Sequence, residues 1–274
     1  MKNILDPANA AVLSGVARAQ PLLVFDFDGT LAPIVDDPAA AAMRPETRAL
    51  LRITGLLYPC AVVSGRRRAD VLGRVAGVPL VAVVGNHGAE AGFGPVDRSP
   101  RNEVEAWLKV LRGEVGGLVG VRIEDKELSL AVHYRQSPER AAARAAVLVA
   151  ARRLAGARVF GGRAVVNVVP GEAHDKGDAV ARLLRRASRR TAVFVGDDAT
   201  DEDAFRHPDV GVGIRVGRAA RSAAEYNIQG QRDMDDLLRA LVRERRRLDG
   251  LGDDISGLER SMRELDAPVV RRAC

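Results

Sequence analysis

Short apolar runs recur along this sequence, and stretches with helical periodicity separate most of them. The apolar runs lie at 22–25, 61–63, 80–84, 192–195 and 211–214. Two of the helical stretches lie at 45–57 and 178–187. Because strands that alternate with helices form a parallel sheet covered on both faces, this order predicts an α/β fold built on a parallel sheet.

The stretch 119–169 has a different pattern. Apolar residues alternate with polar or small residues over 128–134, which is typical of a strand with one solvated face. The other predicted elements here are strands at 119–123, 158–160 and 164–169 and a helix at 138–154. We therefore expect an α+β unit with an antiparallel sheet, inserted into the α/β core.

The patterns divide the chain into three parts. We predict a core domain over 1–100 and 171–250, an inserted cap domain over 101–170, and a helical tail over 251–274. A segment rich in Gly and Pro over 92–100 is the predicted linker into the cap, and Pro170-Gly171 marks its end. One apolar helical stripe in the tail is expected to pack on the body of the protein, with a dimer contact as the alternative: Ile255, Leu258, Met262 and Leu265.

Composition narrows the possible partners. The formal charge of +6 comes almost entirely from arginine, since the lysines are only Lys2, Lys109, Lys126 and Lys176. These arginines are spread along helical stretches without stacking aromatic residues, so we expect no nucleic-acid partner. We also expect no membrane span, because no apolar run is long enough, and no disulfide framework, because there are only two cysteines. A cytoplasmic protein is the resulting expectation.

The first candidate site follows the apolar run 22–25. Asp26 and Asp28, spaced by one residue, precede Gly29 and Thr30. Carboxylates at the end of a buried strand are costly without a cation, and ligands of open α/β sheets bind at the carboxyl ends of strands. The segment therefore predicts a metal-dependent site, with a simple tight turn as the alternative.

Three further segments place polar groups at the end of a strand or the start of a helix. They are Ser64-Gly65-Arg66, Asp175-Lys176-Gly177-Asp178 and Gly196-Asp197-Asp198-Ala199-Thr200-Asp201-Glu202. Each one alone is equally consistent with a helix cap or a surface charge. Their occurrence together in this order predicts that they converge at one rim of the sheet.

These segments resemble the haloacid dehalogenase (HAD) superfamily of phosphohydrolases, and from about residue 20 to 240 the sequence is similar to the trehalose 6-phosphate phosphatases. The matching segments are 26–34, 64–66, 85–90, 124–129, 132–135, 176–177 and 196–205. The resemblance implies a HAD-like Rossmannoid core of parallel strands with an inserted α+β cap. It also implies hydrolysis of trehalose 6-phosphate to trehalose and phosphate through an aspartyl-phosphate.

The resemblance assigns roles to the core residues. It implies that Asp26 is the nucleophile, that Asp28 is the general acid and base, and that Ser64 and Lys176 hold the phosphoryl oxygens. The implied cofactor is Mg²⁺, held by Asp26, Asp197 and the backbone carbonyl of Asp28. Asp198 and Asp201 are expected to orient metal-bound water or Lys176.

The resemblance also implies a sugar-binding set. Glu124, Lys126 and Ser129 are expected on the cap and His87 and Glu90 on the core, and Thr30, Arg66 and Asn167 complete the set. The family usually has a glutamate where this chain has Asn167, so sugar affinity or identity is expected to differ. The expected ligand is a small sugar phosphate, and we expect a monomer rather than a dimer. The alternatives are a HAD phosphatase for another sugar phosphate and a weakly active regulatory HAD domain.

Overall fold

The computed structural model describes residues 1–90, 92, 97–162, 164–252 and 254–264. Its strands are β1 (Lys2–Asn3), β2 (Leu22–Phe25), β3 (Cys60–Val63), β4 (Ala82–Val84), β5 (Arg122–Asp125), β6 (Leu130–His133), β7 (Ala157–Gly162), β8 (Val165–Pro170), β9 (Ala192–Gly196), β10 (Val210–Val216) and β11 (Tyr226–Ile228). Its helices are α1 (Ala10–Ala19), α2 (Pro45–Leu57), α3 (Arg68–Arg74), α4 (Arg101–Val115), α5 (Arg140–Arg152), α6 (Lys176–Ala187), α7 (Asp201–Phe205), α8 (Met234–Leu248) and α9 (Ser256–Glu264).

Seven strands form a parallel sheet in the order β1-β11-β10-β9-β2-β3-β4. Both faces of this sheet are covered, which explains why its central strands are continuously apolar. In β2, Leu23 and Phe25 pack in the core that contains residues of α1, α2 and α8, whereas Leu22 and Val24 pack with residues of α6 and α7. The predicted parallel α/β core is confirmed.

The remaining four strands form an antiparallel sheet in the order β5-β6-β8-β7. Its apolar face packs on α4 and α5 through residues such as Trp107, Leu111, Val132 and Val147. The predicted second, antiparallel sheet is therefore confirmed, and we call the unit formed by β5–β8, α4 and α5 the cap. Within the described part of the chain, none of the helices is both long and apolar enough to cross a membrane.

Several elements differ from the sequence prediction. Helix α4 was not predicted, because its charged residues mask the apolar stripe that packs on the cap sheet. Strand β5 starts at Arg122 rather than at Val119, since Gly120 adopts a φ of +74° and Val119 is exposed. In the tail, Ile255 and Met262 pack on the body, but Leu258 is exposed. Leu265 and Cys274 lie outside the described residues.

Candidate active site

Two neighbouring strands of the parallel sheet carry the first two carboxylates of the site. Strand β2 pairs with β9, and Phe25 lies opposite Val195. Asp26 follows β2 directly, and its backbone N–H donates to the carbonyl oxygen of Val195 over 2.9 Å. Because Asp197 follows β9, the two acids leave the sheet at the same carboxyl edge, where open α/β sheets bind their ligands.

A third carboxylate, from the start of α7, completes an acidic cluster. Asp26, Asp197 and Asp201 each offer one oxygen, and these oxygens lie within 4.8 Å of one another. Gly29 leaves room for them: its φ is +80°, and a Cβ at this position would overlap the Asp197 carboxylate. The structure thus brings together acids that are far apart in the sequence.

Lys176 lies against this cluster. Its Nζ is 2.7 Å from Asp201 Oδ1 and 3.1 Å from Asp26 Oδ1, and its side chain is only 2% exposed. Asp175 forms a capping box with Asp178 that fixes the start of α6 and therefore the origin of the lysine side chain. Burial opposes the charge of Lys176, but Asp201 and Asp26 outweigh it and hold the lysine pKa well above its ordinary value.

The acidic cluster fits a divalent cation. Burial raises the pKa of Asp26 well above its ordinary value, and Asp201 and Asp197 raise it further, although Lys176 lowers it. Three carboxylates thus converge in a buried position, where ionised carboxylates are stabilised by a bound cation. Since the candidate ligands are all carboxylate oxygens, the cluster suits a hard divalent ion better than a thiolate-seeking metal.

The loop between β9 and α7 is held rigidly. Asp198 Oδ1 accepts hydrogen bonds from the N–H and the hydroxyl of Thr200 over 2.7 and 2.6 Å. The N–H of Asp198 donates to Asp201 Oδ2 over 2.9 Å. Arg215, on β10, donates to the carbonyl oxygens of Asp197 and Asp198 over 2.5 and 3.1 Å. The sequence analysis missed Arg215, although its strand neighbours β9.

Asp28 forms a two-point ion pair with Arg66. Arg66 Nε is 2.6 Å from Asp28 Oδ2, and a terminal guanidinium nitrogen is 2.7 Å from Oδ1. Arg66 also donates to Asp70 and to the carbonyl oxygen of Pro38, over 2.9 and 2.8 Å. The arginine predicted to bind substrate therefore contacts the predicted general acid and base.

Ser64 and Thr30 are both buried near the edge of the sheet. Ser64 Oγ accepts a hydrogen bond from the N–H of Arg66 over 3.2 Å, so it organises the turn that follows β3. Thr30 Oγ1 has no hydrogen-bond partner among the described residues. Both hydroxyls follow strand ends at the same edge as Asp26.

Two predicted sugar-binding residues of the cap face the core. Glu124 Oε2 lies 2.7 Å from Nε2 of His133 on the neighbouring strand, and this hydrogen bond, opposed by burial, lowers the pKa of Glu124 to about 2. Lys126 is buried, and its Nζ donates to the carbonyl oxygen of Gly65 over 2.8 Å. His133 was not identified from the sequence as a site residue.

Two other predicted sugar-binding residues instead form a contact between the cap and the core. The Ser129 hydroxyl donates to Asn86 Oδ1 over 2.7 Å, and Asn86 Nδ2 donates to Glu90 Oε1 over 2.6 Å. The other oxygen of Glu90 accepts from the backbone N–H of Arg68. Asn86 also donates to the carbonyl oxygen of Lys126 over 3.1 Å. We call Ser129, Asn86 and Glu90 the cap–core contact.

His87, from the core, and Asn167, on β8 of the cap, both line the space between cap and core. His87 has a φ of +58°, and burial together with Lys126 and Lys176 lowers its pKa well below the ordinary value, so the ring is neutral. Neither ring nitrogen has a hydrogen-bond partner among the described residues. Asn167 is 6% exposed and pairs with Ala131 on β6.

A cavity of about 910 Å³ lies between the cap and the carboxyl edge of the parallel sheet. This volume is at the upper end of the range for small-molecule sites. The predicted site residues that line it are Asp26, Asp28, Arg66, His87, Glu124, Lys126, Asn167, Lys176, Asp197 and Asp198. The other five are buried and are not part of the cavity wall: Thr30, Ser64, Glu90, Ser129 and Asp201.

A parallel sheet that gathers carboxylates and a lysine at its carboxyl edge, with an antiparallel cap across the cavity, defines a HAD-like α/β protein. The family model for trehalose-phosphatases matches residues 24–227. The chain therefore belongs to the trehalose-phosphatase family.

Curated relatives agree with this assignment. A trehalose-phosphate phosphatase of Mycobacterium avium (strain 104) is 41% identical over 206 residues, covering 70% of this chain and 52% of that protein. A trehalose-phosphate phosphatase of Mycobacterium bovis (strain BCG / Pasteur 1173P2) is 35% identical over 219 residues, covering 75% of this chain and 56% of that protein. The chain thus spans about half the length of the curated relatives it matches.

Solved structures share the fold. The C-terminal domain of trehalose-6-phosphate phosphatase from C. albicans superposes with a TM-score of 0.71 at 22% identity, covering 85% of this chain and 96% of that one. Aspergillus fumigatus trehalose-6-phosphate phosphatase superposes with a TM-score of 0.59 at 25% identity, covering 88% of this chain and 99% of that one. The C-terminal domain of a Candida albicans trehalose synthase regulatory protein superposes with a TM-score of 0.62 at 12% identity, covering 85% of this chain and 97% of that one.

Proposed function

We propose that this chain hydrolyses trehalose 6-phosphate to trehalose and phosphate with the help of Mg²⁺. The observation that carries the proposal is the acidic cluster of Asp26, Asp197 and Asp201 beside Lys176, at the base of a cavity large enough for a disaccharide phosphate. Family membership and the names of the curated relatives support trehalose 6-phosphate as the substrate. A sugar phosphate is the proposed partner, and a monomeric, cytoplasmic enzyme stays a prediction of the sequence.

In the first half-reaction, a carboxylate oxygen of Asp26 attacks the phosphorus. The bond between phosphorus and the sugar oxygen breaks, and Asp28 gives its proton to that oxygen, so trehalose leaves and Asp26 carries the phosphoryl group. Lys176, 3.1 Å from Asp26, favours the ionised nucleophile and holds a phosphoryl oxygen. Splitting the reaction helps because phosphate monoesters require about 20 kcal/mol or more of barrier reduction.

In the second half-reaction, water attacks the phosphorus of the aspartyl-phosphate. Asp28 takes a proton from this water, the bond between Asp26 and phosphorus breaks, and inorganic phosphate leaves. When bound by Asp26, Asp197, Asp201 and the backbone carbonyl of Asp28, Mg²⁺ supplies positive charge that offsets the negative charge on the phosphoryl oxygens. Asp198 would keep this loop in place through Thr200.

The cap supplies the proposed sugar contacts. Glu124 and Lys126 both line the cavity, and their opposite charges suit the donor and acceptor roles of sugar hydroxyls. A buried polar partner discriminates strongly against a sugar that lacks the matching hydroxyl. His87, neutral and without a hydrogen-bond partner among the described residues, is a further candidate contact from the core side.

Asn167 supports a second candidate function, hydrolysis of a different sugar phosphate by the same chemistry. It lines the cavity where the family pattern has a glutamate, so the charge available to the distal sugar differs. A weakly active regulatory domain is the other alternative, since the regulatory protein from Candida albicans shares the fold. The presence of Asp26, Asp28 and Lys176 in one cavity favours the enzyme.

Phosphate release from a panel of sugar phosphates tests the proposal. The panel contains trehalose 6-phosphate, sucrose 6-phosphate, glucose 6-phosphate and fructose 6-phosphate, each with Mg²⁺ and with a chelator. We expect preference for trehalose 6-phosphate and loss of turnover with the chelator or in Asp26→Asn, while Glu114→Gln on the surface of α4 retains it. Preference for another sugar phosphate would overturn the proposed substrate. Absence of turnover in the parent would favour the alternative of a regulatory domain.

A further inference from the structure

Arg66 is fixed on several sides. Besides Asp28, its guanidinium donates to Asp70 over 2.9 Å and to the Pro38 carbonyl over 2.8 Å, and its central carbon lies 5.8 Å from the centre of the Phe27 ring. Its side chain is 13% exposed. An arginine with this many partners is a rigid element of the site.

Asp28 has fewer constraints. Its side chain is 37% exposed and lines the cavity, and Arg66 is the only hydrogen-bond donor to its carboxylate among the described residues. Each of its two oxygens accepts one N–H from the guanidinium. This planar, two-point contact sets both the position and the tilt of the carboxylate, which a point charge such as lysine cannot do.

The orientation of Asp28 matters because of the leaving group. In the proposed reaction, Asp28 protonates the sugar oxygen, and a sugar alkoxide is a poor leaving group without that proton. A general acid or base must lie within hydrogen-bond reach of the atom it serves. A carboxyl group that rotates freely in the open cavity meets this requirement only part of the time.

We propose that Arg66 is a positioning residue that orients Asp28 for proton transfer to and from the sugar oxygen and the attacking water, rather than a contact for the substrate. This inference rests on the proposed function, since it assigns Arg66 to the chemical step of the same site. Arg66 holds the oxygens of Asp28 through Nε and one terminal nitrogen, and Asp70 and the Pro38 carbonyl hold Arg66.

The leaving group distinguishes this role from a structural one. Para-nitrophenyl phosphate releases a stable anion that needs little protonation, whereas trehalose 6-phosphate needs it fully. Because kcat/KM reports only the steps up to the departure of the leaving group, it separates the role of Asp28 as acid from its later role as base. In Arg66→Gln, we expect kcat/KM for trehalose 6-phosphate to fall by about 100-fold, the low end of the contribution of general acid catalysis. With the aryl phosphate we expect a fall of less than about 5-fold, because the same acid contributes little there.

Two further variants sharpen the comparison. Arg66→Lys keeps the charge without the two-point contact, so it should recover only part of kcat/KM for the sugar phosphate. Arg48→Gln is the matched control, because Arg48 also donates to backbone carbonyl groups, over 2.5 and 2.8 Å, but none of its hydrogen bonds among the described residues reaches Asp28 or Asp70. It should change both substrates by the same small factor. Thermal unfolding of each variant shows whether it is folded.

Three results would overturn the inference. One is an equal fall in kcat/KM for both substrates, which indicates a structural role. Another is a rise in KM for both substrates at unchanged kcat, which indicates that Arg66 binds the phosphoryl group. The third is full recovery in Arg66→Lys. If the parent hydrolyses no trehalose 6-phosphate, the proposed substrate fails instead, and the sugar phosphate it does hydrolyse takes its place in the comparison.

Discussion

The ammonium group of Lys176 lies 2.7 Å from a carboxylate oxygen of Asp201, and both side chains are sealed from solvent. Burial raises the pKa of Asp201 above its ordinary value, and Lys176 lowers it in part. The free energy of unfolding therefore depends on the charges of Lys176 and Asp201. Removing the lysine leaves Asp201 and Asp26 without their buried cation.

We predict that Lys176→Met lowers the free energy of unfolding by about 3–5 kcal/mol at pH 8, the usual cost of removing one partner of a buried ion pair. The loss should be smaller at pH 5. An aspartate whose pKa is raised in the folded state binds a proton on folding. The amount by which it lowers the free energy of unfolding is therefore small near its ordinary pKa of 3.8 and grows as the pH rises.

Urea denaturation of parent and variant at pH 5 and pH 8 measures this difference. Lys109→Met on the exposed face of α4 is the control, and we expect it to change stability little at either pH. An equal loss for Lys176→Met at both pH values would contradict the electrostatic explanation.

Gly29 provides a test of the acidic cluster. Its φ of +80° and its approach to the Asp197 carboxylate leave no room for a methyl group. In Gly29→Ala, we predict that Asp197 shifts and that the Mg²⁺ concentration for half-maximal activity and for thermal stabilisation rises by about 10-fold or more, as expected when ligand orientation is lost.

Gly15→Ala is the matched control for Gly29→Ala. Gly15 lies in α1 with no other atom near the position of a new Cβ, so alanine should stabilise the protein by up to about 1 kcal/mol and leave the Mg²⁺ requirement unchanged. A normal Mg²⁺ requirement in Gly29→Ala would mean that Asp197 does not bind the metal.

Asn167 tests sugar specificity. We predict that Asn167→Glu raises the ratio of kcat/KM for trehalose 6-phosphate to that for glucose 6-phosphate by about tenfold, equivalent to about 1.4 kcal/mol, because a carboxylate in the cavity favours the distal sugar's hydroxyls. Asn167→Gln controls for length at constant charge. Unchanged ratios in the panel assay would show that this position does not set specificity.

Ser129 tests the cap–core contact. Because its hydroxyl bonds to Asn86 and does not line the cavity, we predict that Ser129→Ala lowers kcat/KM by the same factor for every sugar phosphate. The expected loss of stability is about 1 kcal/mol, the usual value for one hydrogen bond. A loss confined to trehalose 6-phosphate would instead support the predicted direct sugar contact.

The sequence was most informative where one rule of topology applied. Asp26 and Asp197 follow neighbouring parallel strands, and parallel strands bring their carboxyl ends to one edge, so their convergence followed from the pattern alone. Lys176 was recognisable because lysine is rare in this chain and this one opens a helix.

Side-chain pairing was beyond the reach of the sequence. Arg66 and Asp28 are 38 positions apart in loops that follow two neighbouring strands of the core, and their pairing depends on side-chain conformations that no sequence pattern encodes. Ser129 and Asn86 are 43 apart, and their contact depends on how the cap and core pack. The family resemblance suggested that Arg66 and Ser129 bind substrate, because both lie in its matching segments. Arg215 was missed because its role is to hold two backbone carbonyl groups, which leaves no motif.

In the proposed reaction, Asp26 carries the phosphoryl group during hydrolysis of trehalose 6-phosphate. The most direct measurement is an acid quench of the protein during turnover with trehalose 6-phosphate and Mg²⁺, followed by peptide mass spectrometry. We predict a phosphorylated peptide that contains Asp26 and is absent from Asp26→Asn. Steady release of phosphate with no modification of that peptide, or with modification of another residue, would contradict it.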